Sequence, residues 1–299
     1  MNLLKSIFIS IFMMSAMAGA GYSMWMLLDG GSSGAWGGAL LATGPFVVVI
    51  SWIMLSKQVA RTSEHLSTLG VLGACGSLLA IWDSLAHNNT LVAPLIAIFG
   101  SIGFMAYSYW YSKFNRTPSL VLRVGKQLPS FKVRSTKGLM ISSESFIGKP
   151  TVLIFYRGNW CPLCMAQIKE LAGHYQALND LGVRVALVSP QPHTNTINLA
   201  KKFGVNFDFL ADIGNVAART LGIDISHGVP AGMQMMGYDS DSVMPTVIIT
   251  DSNGKILWTH ETDNYRVRPE PETYFEVLRE NGVVPQKSPA FSFAKSSST

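Results

Sequence analysis

TVLIFYRGNWCPLC, residues 151–164, joins an apolar run to a turn and then to two cysteines three positions apart. The run at 151–156 is continuous, as in a strand covered on both faces. Gly158 supplies a tight turn, and Pro162 suits the first turn of a helix whose pattern continues to about Asn179. A strand-to-helix turn therefore carries Cys161 at the helix start and Cys164 one turn further on. Unpaired N–H groups and the positive end of the dipole at a helix start favour thiolate over thiol. This matters because a free thiol of pKa ~8.5 is mostly protonated at neutral pH. At this spacing Cys164 reaches back to displace whatever is attached to Cys161. The pair reads as a redox couple, with two spectator cysteines as the bland alternative.

Outward from the pair the chain alternates strand and helix patterns. Residues 131–134 and 139–141 flank the turn signal STKG at 135–138 and predict a hairpin. A buried strand is predicted at 183–189 and helices at 194–203 and 215–221. Strands at 247–250 and 256–260 pair across DSNG, and a last helix spans 270–280. This is an α/β layer with a mixed sheet. It is expected over 117–285, after a polar, Pro-containing linker at 115–119 and before a Ser-rich tail, 286–299, expected to be disordered. A structural zinc site needs four ligands, yet the only other cysteine is Cys75, and no His-x₃₋₅-His pair follows Cys164. No metal or cofactor is expected; no internal repeat and no phosphate-cradling Gly-rich loop is present.

The first third is of a different kind. Hydrophobic residues make up 48% of the 299-residue chain and charged ones only 14%, and four stretches before residue 113 lack Lys, Arg, Asp and Glu altogether. Each supplies about 17–25 helical residues, enough to cross a hydrocarbon core roughly 30 Å thick. They predict transmembrane spans near 6–28, 35–55, 66–82 and 90–112 in a region covering 1–116. The third is the shortest and Gly-rich, with a buried soluble helix as its alternative. Trp25, Trp36, Trp52, Trp82 and Trp110 fall near span ends, and Tyr107, Tyr109 and Tyr111 join Trp110 in an interfacial belt. Gly70, Gly73, Ala74 and Ser77 offer small-residue spacing for close helix approach. Lys5, Lys57, Arg61, Lys113 and Arg116 share one side of the alternating spans, whereas the loops at Asp29 and Asp83 contain no Lys or Arg. The positive-inside rule then places both termini in the cytoplasm. Lys5, the apolar run and the small residues at 18–20 also fit a cleavable signal peptide. The net charge of +5 partly reflects this juxtamembrane bias. No basic cluster interleaved with aromatics marks a nucleic-acid surface.

The path VGKQLPSFKV, GKPTVLIFYRGNWCPLC, VALVSPQ, FDFLADIGNVAARTLGI and MPTVIITDSNGKI resembles the thioredoxin superfamily, within it the peroxiredoxin-like branch of the alkyl hydroperoxide reductase/thiol-specific antioxidant family, over most of 124–278. The resemblance implies a thioredoxin fold, a thiol-based redox activity, and a cis peptide bond at Pro245 beside the sulfurs. Sequence alone shows only a proline at a strand start, where trans is the default. The peroxiredoxin motif Pro-x-x-x-Thr-x-x-Cys, laid on FYRGNWCPLC, puts Arg157 at the proline, Cys161 at the threonine and Cys164 at the peroxide-reducing cysteine. Trp160 before Cys161 matches the Trp-Cys-x-x-Cys pattern of thioredoxins.

Two enzymatic readings follow. In one, Cys161 attacks a disulfide and Cys164 resolves the mixed disulfide. In the other, Cys164 attacks a hydroperoxide and Cys161 condenses with the resulting sulfenic acid. A membrane scaffold or redox sensor is the non-enzymatic alternative. Arg157 is read either as a thiolate-stabilising charge or as a solvated loop residue. Arg266 and Arg268 in NYRVRPEP resemble a segment of the peroxiredoxin-like branch but are expected as a surface pair, His174, His193 and His227 as surface histidines, and Cys75 as a small buried membrane residue. The expected partners are the lipid bilayer, a protein thiol or disulfide such as thioredoxin or glutaredoxin, and a small hydroperoxide in the second reading. The expected location is the cell membrane, with the redox domain facing the cytoplasm.

Overall fold

A computed structural model describes residues 2–285; the tail expected to be disordered, 286–299, lies outside the described residues. The N-terminal third forms α1 (Asn2–Leu28), α2 (Ser33–Ser56), α3 (Ser67–Ala86) and α4 (Val92–Met105), the last continued by a π-helical turn, Ala106–Tyr111. All four segments are long and apolar enough to cross a membrane, the Gly-rich third included. A Cβ at Gly76 would lie 2.6 Å from the backbone of Gly38 and of Ala42, so α2 and α3 cross at a distance only glycine permits. Gly73 and Ser77 serve α4 instead: Ser77 Oγ donates to the Ala97 carbonyl at 3.1 Å, and Ser101 Oγ to that of Gly73 at 2.9 Å. The buried stripe Gly73, Gly76 and Ala80 turns Ala74 and Cys75 outward, which corrects the expectation of a buried Cys75. Trp25, Trp52 and Trp82 are exposed, but Trp36 is buried, edge-on to Tyr22, and is no part of an interfacial belt.

The rest of the chain builds a seven-stranded mixed sheet. Its strands are β1 (Lys132–Ser135), β2 (Met140–Ser142), β3 (Thr151–Phe155), β4 (Arg184–Ser189), β5 (Asp208–Ala211), β8 (Thr246–Thr250) and β9 (Ile256–Glu261), in the order β2-β1-β5-β4-β3-β8-β9. A short pair, β6 (Asp224–Ile225) and β7 (Ser242–Val243), stands apart. β3, β4 and β5 run parallel, and β8 and β9 are antiparallel to their neighbours. Alternation along β3 sends Val152 and Ile154 to one core and Leu153 and Phe155 to the other. The first core is covered by α5 (Pro162–Gly173), α7 (His193–Phe203) and α9 (Pro271–Glu280), the second by α8 (Val216–Thr220) and the chain around Phe131. Each fully buried aliphatic or aromatic side chain contributes about 1.5–3 kcal/mol, which makes β3, buried on both faces, the firmest base for the turn that follows it. This is the thioredoxin-like arrangement, helices on both faces of a mixed sheet. The helix expected to run to Asn179 breaks at His174 and resumes as α6 (Tyr175–Asp180).

The sheet domain sits on one end of the helical bundle, where α1 begins, α2 and α3 are joined, and α4 ends. Ser6 Oγ donates to the Val229 carbonyl at 2.6 Å and Ser10 Oγ to that of Ala231 at 2.9 Å. Arg266 spreads its guanidinium over the α2–α3 loop and the end of α4, donating to Thr62 Oγ1, to the carbonyls of Ser63 and Glu64, and to Ser112 Oγ. The segment after α4 is bound rather than loose. Arg116 pairs with Glu261 at 2.9 Å, and its backbone N–H donates to Asp263 at 2.7 Å.

Candidate functional site

Tyr156 ends β3 by donating its N–H to the Val188 carbonyl, and Gly158 then turns at φ +143°, where a Cβ would also strike the Trp160 indole. Cys161 stands at the N-cap of α5 with extended backbone angles; Pro162 follows at N1 and Cys164 at N3. The loop is braced from β4's side: Gln191 accepts from the Asn159 N–H at 2.7 Å and donates to the Tyr156 hydroxyl at 3.1 Å. Both cysteines are free thiols and both are buried. Arg268 Nη2 donates to Cys164 Sγ at 3.4 Å, Nη1 to Gln167 at 2.8 Å and Nε to the Tyr265 carbonyl at 3.1 Å. Tyr274 accepts from Gln167 at 3.0 Å, so α9 helps to fix this charge beside the sulfur.

The two sulfurs are hydrogen-bonded and share their electrostatics. Burial pushes the Cys161 thiol well above its ordinary range, and the bond and charge at Cys164 add to the effect. Burial acts on Cys164 in the same direction. There the hydrogen bond from Cys161, the Arg268 charge and the Arg157 backbone N–H outweigh it and bring the thiol to about 5. The helix start thus favours ionisation at N3 rather than at the N-cap. This sets Cys164 against the expectation of a thiolate at Cys161: Arg268 donates a hydrogen bond to the second sulfur and acts on the first by charge alone.

Arg157 is buried, donates to the Gly228 carbonyl, and stacks on Trp160 with its Cζ 4.6 Å from the ring. Burial works against its charge, but the Tyr111 phenol and the sulfurs hold it cationic. The solvated-loop alternative for Arg157 is excluded by this burial. Pro245 lines a small cavity with Arg268, Gln167 and His260, behind Cys164. No described peptide bond is cis, so the cis-proline implied by the resemblance is corrected to trans, the default for a proline at a strand start. Arg116 donates to the Pro245 carbonyl at 3.2 Å, which fixes that strand start. Arg266 and Arg268 are 1% and 5% exposed, which overturns the expected surface pair. The turn closed by the Val267 N–H on the Asn264 carbonyl sends one to the bundle and the other to the sulfur. His193 meets the Ser135 carbonyl, His174 meets Glu272, and His227 is exposed; none of these contacts involves a sulfur. His260, unremarked in the sequence, is pushed down to about 4 by burial and by Arg268 and Arg116, and is neutral near Pro245. Among the described residues no cluster of His, Cys, Asp and Glu could hold a metal.

Two hydrogen-bonded thiols at a strand-to-helix turn of such a sheet define a thioredoxin-fold thiol oxidoreductase domain. Residues 124–259 match the AhpC/TSA family model. The thiol-disulfide oxidoreductase ResA of Bacillus cereus is 24% identical over 188 residues, covering 62% of this chain and 94% of that protein. The chloroplastic peroxiredoxin Q of Populus jackii is 27% identical over 124 residues, 41% of this chain and 58% of that protein. Among solved structures, Enterococcus faecalis AhpC is similar at 20% identity and a TM-score of 0.44, over 54% of this chain and 93% of that one. A peroxiredoxin-like protein from Aquifex aeolicus gives 19% and 0.45, over 55% and 89%.

Proposed function

We propose that the protein is a membrane-held thiol–disulfide oxidoreductase that cycles Cys161 and Cys164 between dithiol and disulfide, with the redox domain on the cytoplasmic side. The reading rests on one observation: a buried, hydrogen-bonded thiol pair in which a fixed arginine favours thiolate at the inner sulfur. On meeting a disulfide, Cys161 passes its proton to the Cys164 thiolate and attacks, forming a mixed disulfide and expelling one thiolate of the substrate. That thiolate takes the proton from Cys164, which attacks Cys161, closes the internal disulfide and releases the second thiolate. The resemblance to ResA supports this class of reaction, with a thioredoxin- or glutaredoxin-like protein as partner. The bias of Lys5, Lys57, Arg61, Lys113 and Arg116 to the domain's end of the bundle supports the orientation.

The test uses reduced full-length protein in lipid nanodiscs with glutathione disulfide. Cys161→Ser is expected to abolish exchange, and Cys164→Ser to stall as a glutathione adduct on Cys161. An adduct on Cys164 in the Cys161→Ser variant would overturn the assignment. The low-lying Cys164 thiol also favours a second reading, reduction of a small hydroperoxide at Cys164. Sulfenic acid trapped there in Cys161→Ser after hydrogen peroxide treatment supports it; an unmodified Cys164 excludes it.

A further inference from the structure

Beside the redox pair lies a cavity of about 630 Å³, a size that suits a small organic ligand. Arg157, Trp160, Cys161 and Tyr265 form one end, with Met54 near the end of α2 beside them; Met13 and Met17 of α1 and Phe46 of α2 form the other. Met17 stands eight residues beyond Ile9 of the same wall, ~12 Å along α1 at 1.5 Å per residue. The cavity therefore runs from the sulfur into the layer that the spans give to hydrocarbon. Met17 and Met54 are exposed on the outer surface of the bundle, so it opens sideways toward lipid. A second feature marks the sulfur end as a binding site. Arg157 Nε and Trp160 Nε1 are buried N–H donors with no acceptor, and both residues line this cavity. Such donors are costly unless an oxygen meets them.

We propose that this cavity binds a lipid-soluble quinone, its ring against Cys161 with a carbonyl oxygen toward the Arg157 and Trp160 side chains, and its apolar tail along α1 and α2. The proposal rests on the dithiol chemistry above and names the oxidant of that site. A single polar end, flat aromatic walls at Trp160, Tyr265 and Tyr107, and a flexible methionine-lined remainder fit a ring with a hydrocarbon tail. A lipid hydroperoxide fits less well, since the ionised sulfur it needs is Cys164, which is fully buried and forms no part of the cavity wall. In the reaction Cys161 adds through sulfur to a ring carbon, and its proton passes to a ring oxygen. The Cys164 thiolate attacks the Cys161 sulfur, the carbon–sulfur bond breaks, and its electron pair stays on the ring. A proton from water completes the quinol, and a partner protein's dithiol later reduces the Cys161–Cys164 disulfide.

The experiment mixes reduced full-length protein in nanodiscs with decylubiquinone under anaerobic conditions and follows quinol formation and free thiols together. Exchange with glutathione disulfide is measured on the same preparation. One quinol is expected for each pair of thiols lost. Met17→Trp, which fills the far end of the cavity, and Met54→Trp, which fills its wall near the end of α2, are expected to lower the ratio of quinone rate to exchange rate about tenfold or more. Leu78→Trp, on the outward face of α3 and away from the cavity, is the control for a bulky lipid-facing residue and is expected to leave both rates unchanged. Wild-type protein that exchanges thiols but forms no quinol overturns the proposal. So does an unchanged ratio in both cavity variants, or oxidation by a phospholipid hydroperoxide and not by the quinone. Failure of exchange with quinol formation intact counts instead against the disulfide reading of the preceding subsection.

Discussion

Arg268 touches the Cys164 sulfur, the Gln167 amide and the Tyr265 carbonyl at once, and this triple attachment holds its charge where thiolate forms. In Arg268→Met the thiolate absorbance of the reduced protein is expected to titrate about 1–3 units above its native midpoint, the shift typical of losing an adjacent opposite charge. The stability of the native protein follows the same ionisation. Cys164 lies near 5 when folded and returns to ~8.5 on unfolding, so the stability it supplies is present above the unfolded value and is lost as pH falls through about 5. The melting temperature of the reduced form relative to the disulfide form is therefore expected to rise between about pH 5 and pH 8, and a flat difference would refute a held thiolate. Cys161, Cys164, Arg157 and Trp160 were legible because a strand, a turn and a helix start in one short stretch fix where they stand. Arg268 was not, because its role depends on α9 and the segment before it folding back over α5, a closure no local pattern encodes. NYRVRPEP was the available signal, and only burial turns it from a charged pair into two separate anchors.

Among the elements, the segment around Arg266 joins sheet domain to bundle. Its guanidinium donates to two carbonyls of the α2–α3 loop and to two hydroxyls, all otherwise left without this donor. Arg266→Met is expected to lower thermal stability in detergent by about 2–3 kcal/mol, the scale of hydrogen bonds to a charged group, and Arg266→Lys to restore only part of it. A loss under about 0.5 kcal/mol would mean the docking depends on other contacts. The strands and helices of the sheet domain were readable from apolar runs bounded by Gly, Pro and Asn. β5 was not read as a strand, since DFLA at 208–211 is too short to show a period. The π-helical turn that presents Tyr107 to Tyr265 was likewise invisible, for it answers a tertiary contact rather than a local preference.

For the whole molecule, the juxtamembrane basic residues, one end of each of the four helices and the redox domain gather at one end of the bundle. A single cysteine at the exposed β8–β9 turn, N253C, is expected to resist a membrane-impermeant maleimide in intact cells and to react after permeabilisation. Labelling of intact cells would reverse the orientation. Four helices long and apolar enough to cross a membrane were legible from composition alone, but the docking was not, because the linker reads as polar and loose until Arg116 meets Glu261.

Cys161 is only 2% exposed while the domain rests on the bundle. A folded partner as bulky as thioredoxin would meet that sulfur only if the domain tipped away, whereas a molecule small enough to travel between α1 and α2 would arrive with everything shut. The chain would then separate its two kinds of customer in time, one served closed and one open, with the grip of a single arginine setting how often the door swings.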